Sequence, residues 1–183
     1  MARNALVKAA RRCEPRPTHL MFIDQDCILA TDTISHLLSF NKPVIGATYY
    51  QKNPPYKPCV YHIKPTFGMY DDDFPGPDSE PFQVKDGGIG MGATLIRMDV
   101  FDQVEKKLGN QMWYQCPSSI VKDEKGEDRE MIMGEDIFFC NQLNETGIEI
   151  WCDPSDRVEH AGYVQVCGEL FRSTLEARKE MAG

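Results

Sequence analysis

An α/β fold is what this 183-residue sequence predicts, and three runs of residues predict it. In each, a segment with helically spaced apolar residues is followed by a short apolar or β-branched run. That alternation marks helices laid against a sheet. The runs are 2–13 followed by 19–23, a helix starting at Thr31 followed by 43–50, and 134–143 followed by 148–152.

The first helix rests on Ala5, Leu6, Ala9, Ala10 and Cys13, and it stops before Pro15 and Pro17 because proline lacks the amide a helix needs. The second opens at Thr31-Asp-Thr, with a Thr or Asp cap. Residues 51–86, rich in Pro, Gly, Asp and Tyr, predict a long mobile loop with one short strand near Cys59–Ile63. The glycine run 87–92 leads into a strand at Ala93–Arg97, and Asp99 is expected to cap a helix through Leu108. A second long, mobile loop is expected at 116–133. Ile137, Cys140 and the pair Phe139/Leu143 predict the third helix, with Gly147 as its stop, and 168–181 reads as a final polar helix. The whole, 1–183, reads as one domain.

With 42% hydrophobic and 26% charged residues the composition is that of a soluble globular chain. A net charge of −8 argues against nonspecific binding of nucleic acid or anionic membrane. No apolar run is long enough to cross a bilayer, and the opening residues lack the apolar core of a signal peptide. The seven cysteines are scattered and form no CxxC pair, which disfavours a zinc ribbon and fits reduced thiols in a cytoplasmic protein.

Four constellations can carry chemistry. Asp24-Gln-Asp26 ends the first strand, and strand alternation would turn both carboxylates to one side, an arrangement of hard oxygen donors suited to Mn²⁺ or Mg²⁺. Its plain alternative is a solvated strand-end turn. Asp71-Asp-Asp73 lacks a preceding strand and reads as a solvated loop. Glu135 and Asp136 open a helix, where the dipole alone explains acids and where one of them can act as a general base. His160, just past the last strand, is either structural or a third metal ligand. The glycine run 87–92 is no dinucleotide fingerprint, since its strand follows the glycines.

In this order the pieces resemble a GT-A fold glycosyltransferase, closest to the family 2 type. The run Ala2-Arg3-Asn4 followed by Thr18-His-Leu-Met-Phe-Ile-Asp24-Gln-Asp26 resembles that family's helix, strand and DxD motif. Gly87–Phe101 resembles its glycine-rich acceptor-side strand and helix, Gly134-Glu-Asp136 its acidic base motif, and His160 its late metal-proximal histidine. The resemblance implies a GT-A-like mixed sheet flanked by helices, without the usual N-terminal nucleobase-binding strands. It implies Mn²⁺ or Mg²⁺ on Asp24, Asp26 and His160, and Asp136 as base with Glu135 beside the acceptor. Arg3 and Asn4 would lie at the nucleotide. The implied donor is a nucleotide-diphospho-sugar, UDP before GDP, and the acceptor a glycan, lipid or protein hydroxyl. Without those strands the expectations are that the chain is a fragment, that another chain supplies the missing half, or that the nucleobase is held differently. The alternative to an enzyme is a non-catalytic remnant that binds or assembles through an exposed sheet edge, as a homo-oligomer or with a completing partner chain.

Overall fold

The computed structural model describes residues 2–63, 67–70, 73–109, 111–122, 126–162 and 166–182. Five helices and twelve strands follow one another along the described chain. Helix α1 is Ala2–Arg11, followed by strands β1 (His19–Ile23) and β2 (Cys27–Leu29), helix α2 (Thr33–Ser39) and strand β3 (Val44–Ala47). Next come β4 (Val60–His62), β5 (Gly68–Met69), β6 (Phe82–Gln83), β7 (Gly87–Ile89) and β8 (Ala93–Arg97). Helix α3 (Met98–Leu108), strands β9 (Ser118–Lys122) and β10 (Asp128–Ile132), and helix α4 (Glu135–Thr146) precede β11 (Ile150–Asp153), β12 (Val158–His160) and α5 (Gly168–Ala182).

The main sheet has the order β1-β8-β3-β11-β6. Only β3 and β11 run parallel; β1 on β8, β8 on β3 and β11 on β6 are antiparallel. Alternation along these strands divides the core in two. Val44, Ile96, Ile150 and Cys152 face one cluster with Val7 of α1, Phe101 of α3 and Phe139 of α4. Ile45, Leu95 and Ala93 face the other with Leu37 of α2. A mixed α/β layering is therefore the architecture, as the alternation of patterns implied.

Several local expectations are revised. Between 51 and 86 the chain is not one loop, for β4 pairs with both β5 and β7 and β6 joins the main sheet. Strands β9 and β10 pair antiparallel over five residue pairs, Ser118↔Ile132 to Lys122↔Asp128, with Ile120 and Ile132 exposed. Polar, charged composition hid that ladder, because Ser118–Ile120 and all of β10 are exposed and show no alternating apolar face. Helix α3 starts a residue ahead of Asp99: Arg97 is its N-cap position, and the Asp99 carboxylate accepts hydrogen bonds from the Arg97 guanidinium at 2.9 and 3.0 Å. An acid one position inside the helix still meets the positive end of the dipole. At α2, Asp32 gives no side-chain cap, its carboxylate accepting from Arg157 at 2.7 Å. Of the acidic run 71–73, Asp71 and Asp72 lie outside the described residues. Asp73 meets His62 at 2.9 Å.

The junction of α3 and α4 sets where the acids of α4 stand. Phe139 is fully buried, stacks on Phe101 at 5.7 Å and leans on Tyr114 at 4.7 Å. Trp113 packs edge-on to Phe101 and donates its indole N–H to the Phe101 carbonyl at 3.1 Å. Phe139→Ala should lower unfolding stability by about 3–5 kcal/mol, read from urea denaturation; a loss below about 1 kcal/mol would show that this junction does not hold α4 in place.

Candidate metal and base site

Two groups of side chains meet around the end of β1. Strand β1 stops at Ile23, and residues 24–27 make a turn in which the Cys27 amide donates to the Asp24 carbonyl at 2.9 Å. The turn abolishes strand alternation, so Asp24 and Asp26 do not share one environment. Asp24 turns to Arg3, whose guanidinium donates to it at 2.7 Å. Asp26 turns to Lys52, at 2.5 Å, and to His160, whose Nε2 lies 3.6 Å from its other oxygen.

Arg3 organises the first group. Besides Asp24 it donates to the Glu135 carboxylate, and it lies 3.5 Å from an Asp136 oxygen. Thus α1, the end of β1 and the first turn of α4 converge on one guanidinium, only 15% exposed. Asp136 Oδ2 accepts the Met91 amide at 3.0 Å, while Oδ1, the oxygen facing Arg3, is buried without a hydrogen-bond partner among the described residues. The Asp136 residue as a whole is about a quarter exposed, so the burial belongs to that oxygen and the walls around it. Burial pushes the Asp136 pKa up; Arg3 and the Met91 amide pull it down, and the burial wins.

His160 is placed by the two-stranded ladder of β2 and β12, which sets it directly opposite Cys27. The Ala161 amide donates to the Asp26 carbonyl at 2.8 Å and ties the turn to the same ladder. His160 Nδ1 lies 2.7 Å from the Tyr50 carbonyl, which can only accept, so Nδ1 donates there and Nε2 is the ring nitrogen turned toward Asp26. Asp26, Cys27 and His160 each offer a donor atom within 4.8 Å of the others, the one such group of three among the described residues. An imidazole and a carboxylate fit a divalent cation that accepts mixed nitrogen and oxygen donors. Asp24 is not in this group. Its charge nevertheless bears on both sides, raising the pKa values of Cys27 and Asp136 alike.

The backbone between the two groups is the glycine run. Gly92 donates its amide to the Tyr49 hydroxyl at 3.1 Å and accepts from the Asp24 amide at 2.9 Å. A Cβ at Gly92 would meet Tyr49 Cζ at 2.7 Å and Cys27 Sγ at 3.1 Å, so the Tyr49 ring needs glycine there. That ring in turn packs edge-on to His160, with centroids 5.4 Å apart.

Asn4 does not face the cluster. It is 5% exposed, and its amide exchanges hydrogen bonds with the Tyr114 backbone at 2.7 and 3.1 Å, which fastens α1 to the segment after α3. Lys52, Tyr49 and Cys27 were not singled out by sequence reasoning. Only Cys27 had a signal, its place next to Asp26. A cleft of about 240 Å³ lined by Val84, Asp86, Asn144 and Glu149 lies at the other end of α4. Shifted carboxyl and converging donors mark the former site instead. No protein-family model matches the chain, and no curated protein matches it significantly.

Two outcomes follow from these contacts. The Lys52 ammonium is the largest influence holding Asp26 below the usual carboxylate pKa, so Lys52→Ala should move the Asp26 titration upward by NMR. An unmoved Asp26 would mean the pair does not persist in solution. For Asp136 the folded pKa exceeds the unfolded one. Its contribution is then full below the unfolded value, about 4, and declines as pH rises toward the folded one. Asp136→Asn should therefore gain stability relative to the parent as pH rises through that window, measured by urea midpoints; a constant difference would remove the burial effect.

Proposed function

We propose that this chain is a metal-dependent glycosyltransferase of the GT-A type, moving a sugar from a nucleotide-diphospho-sugar to an acceptor hydroxyl with inversion. The observation that carries the reading is Asp136: a carboxyl with a raised pKa whose buried Oδ1 faces Arg3 at 3.5 Å and has no hydrogen-bond partner among the described residues, in a group joined through Asp24 and Gly92 to the Asp26–His160 pair. A general base works best when its pKa approaches the working pH, and burial moves Asp136 that way.

Asp26 and His160 would hold Mn²⁺ or Mg²⁺, and the cation supplies Lewis-acid neutralisation of the leaving diphosphate. Asp136 accepts the acceptor's hydroxyl proton as that oxygen bonds to the anomeric carbon, and the carbon–oxygen bond to the nucleoside diphosphate breaks. Arg3 fixes the carboxylates of Asp24, Glu135 and Asp136, so the base does not drift toward the cation. Glu135 borders the acceptor side. With a cation on Asp26, Lys52 would leave that carboxylate and could meet a phosphate. A UDP-linked donor and a glycan, lipid or protein acceptor are the proposed substrates.

A second reading has its own observation. Among the described residues β1 pairs only with β8, and its last residue, Ile23, is 48% exposed. An apolar strand with one open edge is a template for pairing. A non-catalytic GT-A-like module, assembling through that edge with a second copy or a completing partner chain, would use it.

Calorimetry with UDP and GDP, with and without Mn²⁺, separates the two. Heat with UDP that requires Mn²⁺ and vanishes in Asp26→Ala supports the transferase. In that case Asp136→Asn should keep the heat while turnover falls about 10²–10⁴-fold, the usual worth of a positioned base. No heat with either nucleotide from folded protein, alongside concentration-dependent self-association in sedimentation, would instead favour the assembly module.

A further inference from the structure

The third donor beside Asp26 and His160 is a thiol, and that changes which metal the seat prefers. We propose that Asp26, Cys27 and His160 form a thiolate-containing seat that takes Zn²⁺ in preference to Mn²⁺ or Mg²⁺, with Cys27 Sγ as a direct ligand. The seat shares Asp26 and His160 with the donor site above, but it stands without the transferase reading.

Register carries the first part of the argument. In the β2–β12 ladder His160 is paired directly with Cys27, and directly opposed residues project from one face with Cβ atoms about 4.5–5.5 Å apart. Asp26 lies in the turn, free of strand alternation, and its carboxylate is brought to the same place: the three donor atoms lie within 4.8 Å of one another. Hydrogen bonding carries the second part. His160 Nδ1 is engaged by the Tyr50 carbonyl at 2.7 Å, which fixes the ring and leaves Nε2 to bind. A metal-bound imidazole usually has this kind of partner on its other nitrogen.

Donor chemistry then chooses the ion. One sulfur, one nitrogen and one oxygen suit Zn²⁺, which three protein ligands hold with a fourth position open to water or substrate. Mn²⁺ and Mg²⁺ favour oxygen and gain little from sulfur, and mixed-donor sites in general bind Zn²⁺ above Mn²⁺. Burial and the charges of Asp24 and Asp26 push the Cys27 pKa up to about 12, so the free protein carries a thiol. On binding, the S–H bond breaks, the proton passes to solvent and an S–Zn bond forms. The same two carboxylates that hold the proton on Cys27 then favour the dication, and the Lys52 ammonium is displaced from Asp26. Zinc would thus exclude Mn²⁺ from Asp26 and His160, and the state of Cys27 would decide which metal the site carries.

Cobalt tests this directly, because Co²⁺ replaces Zn²⁺ and its bond to a thiolate gives a near-ultraviolet charge-transfer band. One equivalent of Co²⁺ added to the reduced chain should produce the band, and Zn²⁺ should abolish it. Cys27→Ser should lose the band and bind Zn²⁺ weaker by at least the ~10–100-fold that loss of an outer-shell partner costs. His160→Gln, with the thiol intact, should lose it too, so the result does not hang on one variant. A wild-type protein without the band at excess Co²⁺, or a band that persists in Cys27→Ser, overturns the proposal. Heat of UDP with Mn²⁺, measured on the same wild-type protein, keeps the two readings apart. A cobalt band without that heat retires the transferase and leaves the zinc seat, whereas heat without a band does the reverse.

Discussion

Arg3 is the interaction on which the rest of the site depends. Three carboxylates from two elements, Asp24 after β1 and Glu135 and Asp136 on α4, would repel one another at this separation without a cation between them. Its planar fork can serve two of them at once, which a lysine could not do in fixed geometry. Removing one partner of a buried ion pair costs about 3–5 kcal/mol, while exposed pairs are worth little. Arg3 at 15% exposure belongs near the first case, and Asp24 at 43% near the second. The strong end of the bridge therefore points at α4, where Glu135 and Asp136 stand.

Asp136 and the Asp26–Cys27–His160 group are joined by backbone. From Asp136 the hydrogen bonds run to the Met91 amide, from the neighbouring Gly92 to Tyr49 and Asp24, and the Tyr49 ring packs against His160. Every link is a main-chain group or a buried ring, so the two halves are set by the fold and not by flexible side chains. Lys52 is the exception. Its ammonium lies on Asp26 from a half-exposed position in the segment after Tyr50, and a solvated cation of this kind is easily exchanged for a stronger one.

Much of the layout was legible because it is local. Ile137, Cys140 and the pair Phe139/Leu143 marked the buried face of α4, whereas Ala5, Leu6, Ala9 and Cys13, which located α1, stand exposed, the buried residues of that helix being Val7 and Asn4. Glycine at 147 ends α4 with φ of 80°, a conformation other residues resist. Asp26 and His160 were both singled out, and the structure brings them together. Asp24 was expected beside Asp26 on the premise of a continuing strand, and one turn hydrogen bond to the Asp24 carbonyl removes that premise. The resemblance of Ala2-Arg3-Asn4 implied a nucleotide contact for Asn4, yet on a helix neighbouring residues point about 100° apart, and Asn4 turns inward to Tyr114.

By itself the sequence determined the alternation of helices and strands, the apolar face of α4 and the acids at the end of β1 and at the start of α4. These depend on residues within a turn or two of each other, where periodicity and end signals act. Only the tertiary structure decided which acids meet. Arg3 and Glu135 are separated by 132 residues, Asp26 and His160 by 134, and the ladder of β2 on β12 that sets Cys27 against His160 joins strands of three residues each. Strands so short carry almost no pattern of their own. Their register is fixed by the sheet and helices around them, and with it the chemistry that Asp26 can perform.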